Sequence, residues 1–411
     1  MKQTIKQFLN KEGAYVMGAS FFTKIIAFIS SLILVRVLSP SDFGLLAYVL
    51  STLAFFIPFA GGGLQHSFMR FAPLKNSNSK INALFRTSLF KGLLISAIIA
   101  LVLVSSIPFL NLKKTINPVY FYVLVAYLFT YFIIEMTKVY YRVQNNNKKF
   151  ASIDALSAGL IAICGCFSAY YFGSLAYIMV FVFAPLFVGI FYLRVPRKIE
   201  VSIPEKYYSY GLWVGVGSIA SQLMYSLDVF LVGQLIQDTT QVAIYRSASI
   251  IPIALFFIPN SYITTHYADL AKNSTNKPYL INFAKEYIKL FSLVALAIGI
   301  PLYLFAEPLI SILFGNDYIE AVPLFRVLII GMLGAFIFRI PFGNLLAAVG
   351  KSNWNAFVAF AILFLNGILN YYAIKNYGII GAAIVTSSLF WISGFVSLVL
   401  FFGYLKKLKK Y

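Results

Sequence analysis

The chain reads as an all-α polytopic membrane protein of about twelve transmembrane helices in two six-helix lobes. Three observations predict this. Of 411 residues, 60% are hydrophobic and only 11% charged, against roughly 25% charged in a soluble domain, so no water-exposed surface can hold the chain in solution. Apolar runs of the roughly 20 residues that a hydrocarbon core of about 30 Å requires follow one another with short polar breaks. Lys and Arg, finally, are concentrated in every second connection.

In chain order the predicted spans are 14–37, 43–64, 86–109, 118–138, 152–172, 175–194, 211–235, 242–265, 284–306, 322–348, 354–374 and 379–403. Met1 to Val16 has a basic start, but the apolar run continues to Val37 with no small-x-small cleavage site. The expectation is therefore an uncleaved first helix behind a short amphipathic segment at the cytoplasmic face. The second span carries Pro58 and Gly61-Gly62-Gly63. The fifth and sixth are parted only by Phe172-Gly173-Ser174, and the last two only by Asn376-Tyr377-Gly378; a count of twelve needs both turns. Cys164 and Cys166, within the fifth span, are too close for an ordinary disulfide and lack partners for a metal site. Further breakers are Pro185, Pro252, Pro259, Gly299, Pro301, Gly331, Gly334, Pro341 and Gly343. Each proline removes a helix hydrogen bond, which lipid tolerates only where neighbours or cavity water satisfy the freed carbonyl.

The longest central connection, Arg194 to Tyr210, holds Pro196, Glu200, Pro204 and Glu205. It divides the spans six and six, giving lobes 1–197 and 211–411 joined by a cytoplasmic linker, 198–210. The halves are weakly similar at a displacement of 197 residues: Leu34-Val35 falls on Leu231-Val232, Leu38 on Leu235 and Tyr48 on Tyr245. With a small gap, Pro58 meets Pro259 and His66 meets His266. An even number of spans per half makes the repeat parallel, about an axis along the membrane normal.

The formal charge of +20 follows topology and does not indicate nucleic acid. With both termini cytoplasmic, 25 of the 33 Lys and Arg fall in inner segments, four in outer segments (Arg36, Lys113, Lys114, Lys375) and four within spans (Lys24, Arg246, Arg326, Arg339). That alternation is the positive-inside pattern.

Gly18 and Val35-Arg36-Val37-Leu38-Ser39-Pro40-Ser41-Asp42-Phe43-Gly44 resemble the first-helix signature of lipid-linked oligosaccharide flippases, the Wzx type of the MATE-like MOP superfamily. Gly217 to Gly233, Leu313-Phe314-Gly315 with Tyr318, Gly350-Lys351, Asn366, Leu369-Asn370-Tyr371 and Tyr377 to Ala383 continue the resemblance in order along nearly the whole chain. It implies two lobes facing a central cavity, alternating access, and an undecaprenyl-diphosphate-linked glycan as cargo in the bacterial cytoplasmic membrane. A polysaccharide polymerase and glycosyltransferases are the protein partners it suggests. Lipid II flippases of the same superfamily usually carry two further helices, so the O-antigen, capsule or exopolysaccharide branch fits this chain better.

An ionisable group near the bilayer centre costs about 2.5–3.5 kcal/mol on insertion scales, so each one is a candidate for a cavity or a partner. Lys24 lies about 15 Å into the first span, too deep for easy snorkelling. Lys24 and Arg339 are candidates for a cationic substrate cavity, since guanidinium in particular suits a pyrophosphate. For Arg36, near an outer end, interfacial snorkelling competes with the role the signature implies. Asp228 and Arg246 lie at similar distances from the outer turn around Asp238 and can meet across it, as a structural ion pair or as an acid coupling transport to a proton or cation gradient. Glu135 and Asp154, among Lys138 and Arg142, read as a solvated interfacial cluster, and His66 and His266 as solvated.

No GxxxxGK[ST], HExxH or GxSxG occurs, so neither a nucleotide site nor a hydrolase site is indicated, and no cofactor is expected. Two alternatives remain beside a flippase. A MATE-type multidrug or metabolite antiporter predicts an acid-lined pocket, whereas the deep charges here are mostly cations. A membrane polymerase or ligase of glycan assembly predicts a large outer loop, whereas the longest outer connection is about 15 residues, Glu307 to Ala321.

Overall fold

A computed structural model describes residues 13–75, 77–110, 117–196, 202–223 and 226–408. The expected amphipathic segment before Gly13, Lys113, Lys114, Arg197, Lys198 and the final lysines Lys409 and Lys410 lie outside the described residues. Those residues are all helical or loop, and nine helical stretches among them are long and apolar enough to cross a membrane. The chain divides into two compact units, Met1–Gln222 and Leu223–Tyr411.

The first unit contains α1 (Gly13–Val37), α2 (Pro40–Leu53), α3 (Leu64–Phe71), α4 (Asn78–Ser106), α5 (Val119–Val143), α6 (Asn147–Leu160), α7 (Cys166–Tyr192) and most of α8 (Tyr207–Leu223). The start of α2 is set by Ser39-Pro40-Ser41-Asp42. The Ser39 hydroxyl accepts the Asp42 amide at 3.1 Å and donates to the Asp42 carboxylate at 2.9 Å, while Pro40 takes the first helical turn, where no N–H is needed. The shared signature is thus a helix start, and its Asp42 also accepts from Ser174 at 3.3 Å. Several helices begin before the predicted hydrocarbon boundary because caps set their starts: Ser77 for α4, Asn146 for α6 and, in the second unit, Asn276.

The second predicted span is not one rod. After α2 the backbone tightens, and Gly61, Gly62 and Gly63 all adopt left-handed conformations (φ 66°, 60° and 71°) before α3 begins. Gly61 donates its amide to Ser96 at 2.9 Å, so a group freed by the break is satisfied. A Cβ at Gly61 or Gly92 would enter the Phe132 ring, and one at Gly63 would strike the Gly211 carbonyl. In a membrane, where lipid competes equally for apolar surface, such close approach supplies the packing that holds helices together. Around it Phe68, Phe85 and Tyr140 interlock at centroid distances of 5.6 and 4.6 Å.

α8, at the head of the expected second lobe, packs within the first unit. Ser67 donates to the Tyr207 carbonyl at 2.6 Å, and the Tyr207 hydroxyl pairs with Ser88 at 2.6 Å. Arg86 donates to the Pro196 carbonyl at 2.8 Å and Lys75 to that of Ser202 at 2.9 Å, holding both described ends of the connection. The expected single span 211–235 is two helices, α8 and α9 (Leu227–Ile236).

The second unit continues with α10 (Thr239–Leu255), α11 (Phe257–Lys272), α12 (Lys277–Leu304), α13 (Ala306–Leu313), α14 (Ala321–Gly334), α15 (Ile340–Ala348) and α16 (Ser352–Lys407). The expected span 242–265 is interrupted at Phe256, between Pro252 and Pro259. α14 and α15 are joined by a π-bulge, Ala335–Arg339; the Phe336 carbonyl within it accepts from the Tyr287 hydroxyl at 3.0 Å.

Two apparently overlong helical stretches are hairpins. Within α16, Gly378 (φ 64°, ψ −151°) takes a conformation open essentially to glycine alone. Asn366 and Thr386, which would lie about 30 Å apart on a straight helix, approach to 3.4 Å. Likewise Gly173 (φ 78°, ψ −170°) interrupts α7, and a Cβ at Gly165 would lie 3.0 Å from the Tyr177 ring. The chain reverses at the two tight turns read from the sequence.

The glycine turn yields a paired test. Gly61 and Gly350 both have positive φ, but only Gly61 faces a neighbour, the Phe132 ring, whereas Gly350 has nothing within 4 Å. Alanine costs backbone strain at both and overpacking of about 1–3 kcal/mol at Gly61 alone. Thermal unfolding in detergent should fall several degrees further for Gly61→Ala than for Gly350→Ala; equal falls contradict the close packing at Phe132.

Candidate functional site

Among the described residues of the second unit, Asp228 is a buried carboxylate, 4% exposed, in the first turn of α9. Because the seventh span is split, a helix N-terminus arises beside this carboxylate, an arrangement that favours negative charge. Three neutral donors converge on it. Tyr245 of α10 and Thr386 donate to Oδ2 at 2.9 and 2.6 Å, and Asn370 donates to Oδ1 at 2.8 Å. Asn370 and Thr386 come from opposite arms of the α16 hairpin, so the Gly378 turn is what brings them together. Asn366 donates to Thr386 at 3.4 Å.

No described cation lies within 4.0 Å of Asp228. The side-chain oxygens of Asn366 and Asn370 are buried without a hydrogen-bond partner. The Asp228 carboxylate and the Thr386 and Ser249 hydroxyls that border one cavity with it make a hard-oxygen set with a single negative charge, suited to a small monovalent cation or a proton and unlike a transition-metal site. Groups of three or more His, Cys, Asp or Glu that could hold a metal are absent among the described residues. Asp228, Tyr245, Ser249 and Thr386 border a cavity of ≈ 20 Å³ whose remaining wall is apolar, room for about one water or bare ion and none for a sugar.

The ion pair expected between Asp228 and Arg246 is not formed. Successive helical residues point about 100° apart, so with Tyr245 facing α9 its neighbour is turned aside. Arg246 is half-buried, and among the described residues no side-chain hydrogen bond, carboxylate or aromatic ring engages its guanidinium.

Of the expected cationic-cavity residues, Lys24 and Arg36 are exposed on α1, Arg36 in its last turn, while Arg339 belongs to the second unit. Arg339 ends the π-bulge, is half-buried and donates to Asn355 Oδ1 at 3.0 Å. A Cβ on Gly343 would sit 2.6 Å from its Nη1, so that glycine makes room for the guanidinium.

The expected solvated acidic cluster is tighter than its description. Lys138, 8% exposed, bridges Glu135 and Asp154 at 2.7 Å each. His266 is not simply solvated either: it stacks on Tyr262 at 4.4 Å and its Nδ1 lies 2.9 Å from the Tyr262 carbonyl. Tyr245 and Thr386 escaped the sequence reading; Asn366 and Asn370, spaced i and i+4 in an apolar helix, were the visible signal.

If the oxygen set holds a cation, sodium should raise the melting temperature of the detergent-purified protein relative to a bulky organic cation, as binding to the native state requires. Asp228→Asn and Asn370→Ala should abolish the increment. A sodium increment that survives Asp228→Asn contradicts the site.

The family model described as "Polysaccharide biosynthesis protein" matches residues 33–323. A putative O-antigen transporter of Shigella flexneri is 28% identical over 233 residues, 55% of each chain, so the match spans about half that relative's length. Among solved structures, the lipid II flippase MurJ in an inward closed conformation superposes with a TM-score of 0.73 at 14% identity, covering 96% of this chain and 93% of that one. A multidrug resistance MATE family transporter of the MOP superfamily, inward-facing, gives 0.72 at 15% identity over 94% and 95%. The fold is therefore the all-α polytopic membrane fold shared by that flippase and MATE transporters, whose members here are transporters and not enzymes. With the residues 33–323 that the model matches making up most of the chain, this protein belongs to the polysaccharide biosynthesis protein family.

Proposed function

We propose that the protein flips undecaprenyl-diphosphate-linked oligosaccharide repeat units from the inner to the outer leaflet of a bacterial cytoplasmic membrane by alternating access. The observation that carries this reading is Arg246, a half-buried guanidinium without a counter-ion among the described residues. A membrane protein bears the cost of such a group only for a purpose, and a guanidinium fork matches a diphosphate bidentately. Family membership supports a glycan-linked cargo. The fold does not choose between flippase and antiporter, since both superpose almost equally well.

In this proposal Lys24, Arg36 and Arg339 supply further positive charge along the path of the head group. The Asp228 oxygen set takes the coupling cation or proton, in place of the structural pair with Arg246. Twelve spans follow if the hairpins at Gly173 and Gly378 each count as two and α8 with α9 as one broken span. Both termini then face the cytoplasm in accord with the positive-inside bias, with repeats at 1–197 and 211–411 about a linker at 198–210. A polymerase and glycosyltransferases are the proposed neighbours in the pathway.

Loss of one charge-assisted hydrogen bond typically costs about 1.5–3 kcal/mol, tenfold or more in binding. Arg246→Ala should therefore lose at least tenfold of the arrival of lipid-linked saccharide on the outer leaflet at unchanged membrane abundance, and Arg246→Lys should retain part of it. Full transport by well-expressed Arg246→Ala overturns the reading.

A further inference from the structure

We infer that Tyr127, Tyr131 and Glu135 on α5 form a saccharide-binding platform that takes the neutral sugars of the cargo, an inference that rests on the function proposed above. The three residues are spaced i, i+4, i+8, so they share one helix face and span about 12 Å. That is the length of a short run of sugar rings, not of a single small molecule. All three are half-buried in a 25-residue helix apolar enough to cross a membrane. Tyr131 is the central residue of that helix, far from either end, so an interfacial aromatic belt does not account for it.

The geometry is fixed from behind. The Tyr127 ring stacks on Phe181 at 4.7 Å with 24° between planes, and Phe181 in turn stacks on Tyr177 at 6.3 Å. Tyr131 lies 6.2 Å from Tyr127. Lys138 holds Glu135 Oε1 at 2.7 Å and is itself held by Asp154 at 2.7 Å. Glu135 Oε2 and the Tyr127 and Tyr131 hydroxyls have no hydrogen-bond partner among the described residues, and the Glu135 side chain keeps 26% of its surface. Two phenols left unpaired within the span are costly against hydrocarbon, the unpaired Glu135 oxygen lies nearer the inner end of the same helix face, and a hydroxyl-rich ligand or water satisfies all three.

A sugar fits on both counts. Its axial C–H face packs on an aromatic ring, and its hydroxyls can donate to the carboxylate and exchange hydrogen bonds with the phenols. The electrostatics select the same part of the cargo. Glu135 and Asp154 are balanced by Lys138 and by Arg142, whose guanidinium lies 5.1 Å from the Phe150 ring that Lys138 also faces at 5.5 Å, so the cluster carries no net charge to draw a diphosphate and accepts a neutral glycan. An organic cation could also meet an aromatic wall beside a carboxylate, and the test separates the two.

The experiment uses the full-length protein in proteoliposomes with two probes: undecaprenyl diphosphate bearing one N-acetylhexosamine, and the same carrier bearing a complete repeat unit. Tyr127→Ala/Tyr131→Ala and, separately, Glu135→Gln should slow translocation of the repeat-unit probe at least tenfold and that of the single-sugar probe no more than threefold. Tyr127→Phe/Tyr131→Phe keeps the stack, guards against misfolding and should slow the long probe at least threefold. Unchanged transport of the long probe by well-inserted variants, or equal loss on both probes, overturns the platform. Tight binding of tetraphenylphosphonium that Glu135→Gln removes overturns it in favour of a cation site. If the wild type moves neither probe while retaining its fold, the proposed function fails, an outcome distinct from failure of the platform alone.

Discussion

A charge inside a bilayer must be neutralised, hydrogen-bonded or used, and the placement of a few charges organises this protein. Asp228 illustrates the constraint. Its two oxygens receive donors from α10 and from both arms of the α16 hairpin, so the carboxylate ties three chain segments to the start of α9. Replacing a donor would leave buried acceptors unsatisfied, and removing the carboxylate would leave three donors without a target. The neighbouring Arg246 obeys the same constraint in the opposite sense. Among the described residues no carboxylate or hydrogen-bond acceptor neutralises its guanidinium, and under the proposed function the diphosphate of the cargo does so.

Breaks in the helices are the structural means of meeting this constraint. Lipid offers no hydrogen bonds to a freed amide or carbonyl, and at two of the breaks a side chain supplies the partner. Ser96 takes the Gly61 amide and the Tyr287 hydroxyl takes the Phe336 carbonyl. Each break also re-aims side chains. The interruption before α9 presents a helix N-terminus to Asp228, and the π-bulge turns Arg339 toward Asn355, with Gly343 vacating the space. Glycines serve two separate purposes here: a backbone conformation at Gly173 and Gly378, and close approach at Gly92 and Gly211.

Much of this architecture was legible in the sequence because length and hydropathy report the hydrocarbon thickness directly. The tight turns at Gly173 and Gly378 stood out against long apolar runs, and Pro58 with three glycines announced the broken second span. The split between α8 and α9 was hidden, since apolar composition runs through it without a change in pattern. Helix starts were missed by several residues wherever a cap such as Asn146 or Asn276 lies outside the hydrocarbon. For the site, sequence depth placed Asp228 and Arg246 side by side but gave no rotational register, and 100° of helix rotation exchanged the arginine for Tyr245. Thr386 could have been deduced once the Gly378 turn set the register between the arms of α16; nothing local to Thr386 marks it.

Under the proposed function a diphosphate-linked glycan crosses the membrane, driven by a cation or proton taken up at Asp228. The most direct measurement reconstitutes the purified protein in liposomes holding a labelled undecaprenyl-diphosphate oligosaccharide and follows accessibility of the sugar to an external glycosidase, with and without an imposed sodium or proton gradient. The account predicts protein-dependent exposure of the sugar that one of the two gradients accelerates. No exposure under either gradient, with gradient-driven movement of an organic cation in the same vesicles, would contradict it and make the protein an antiporter.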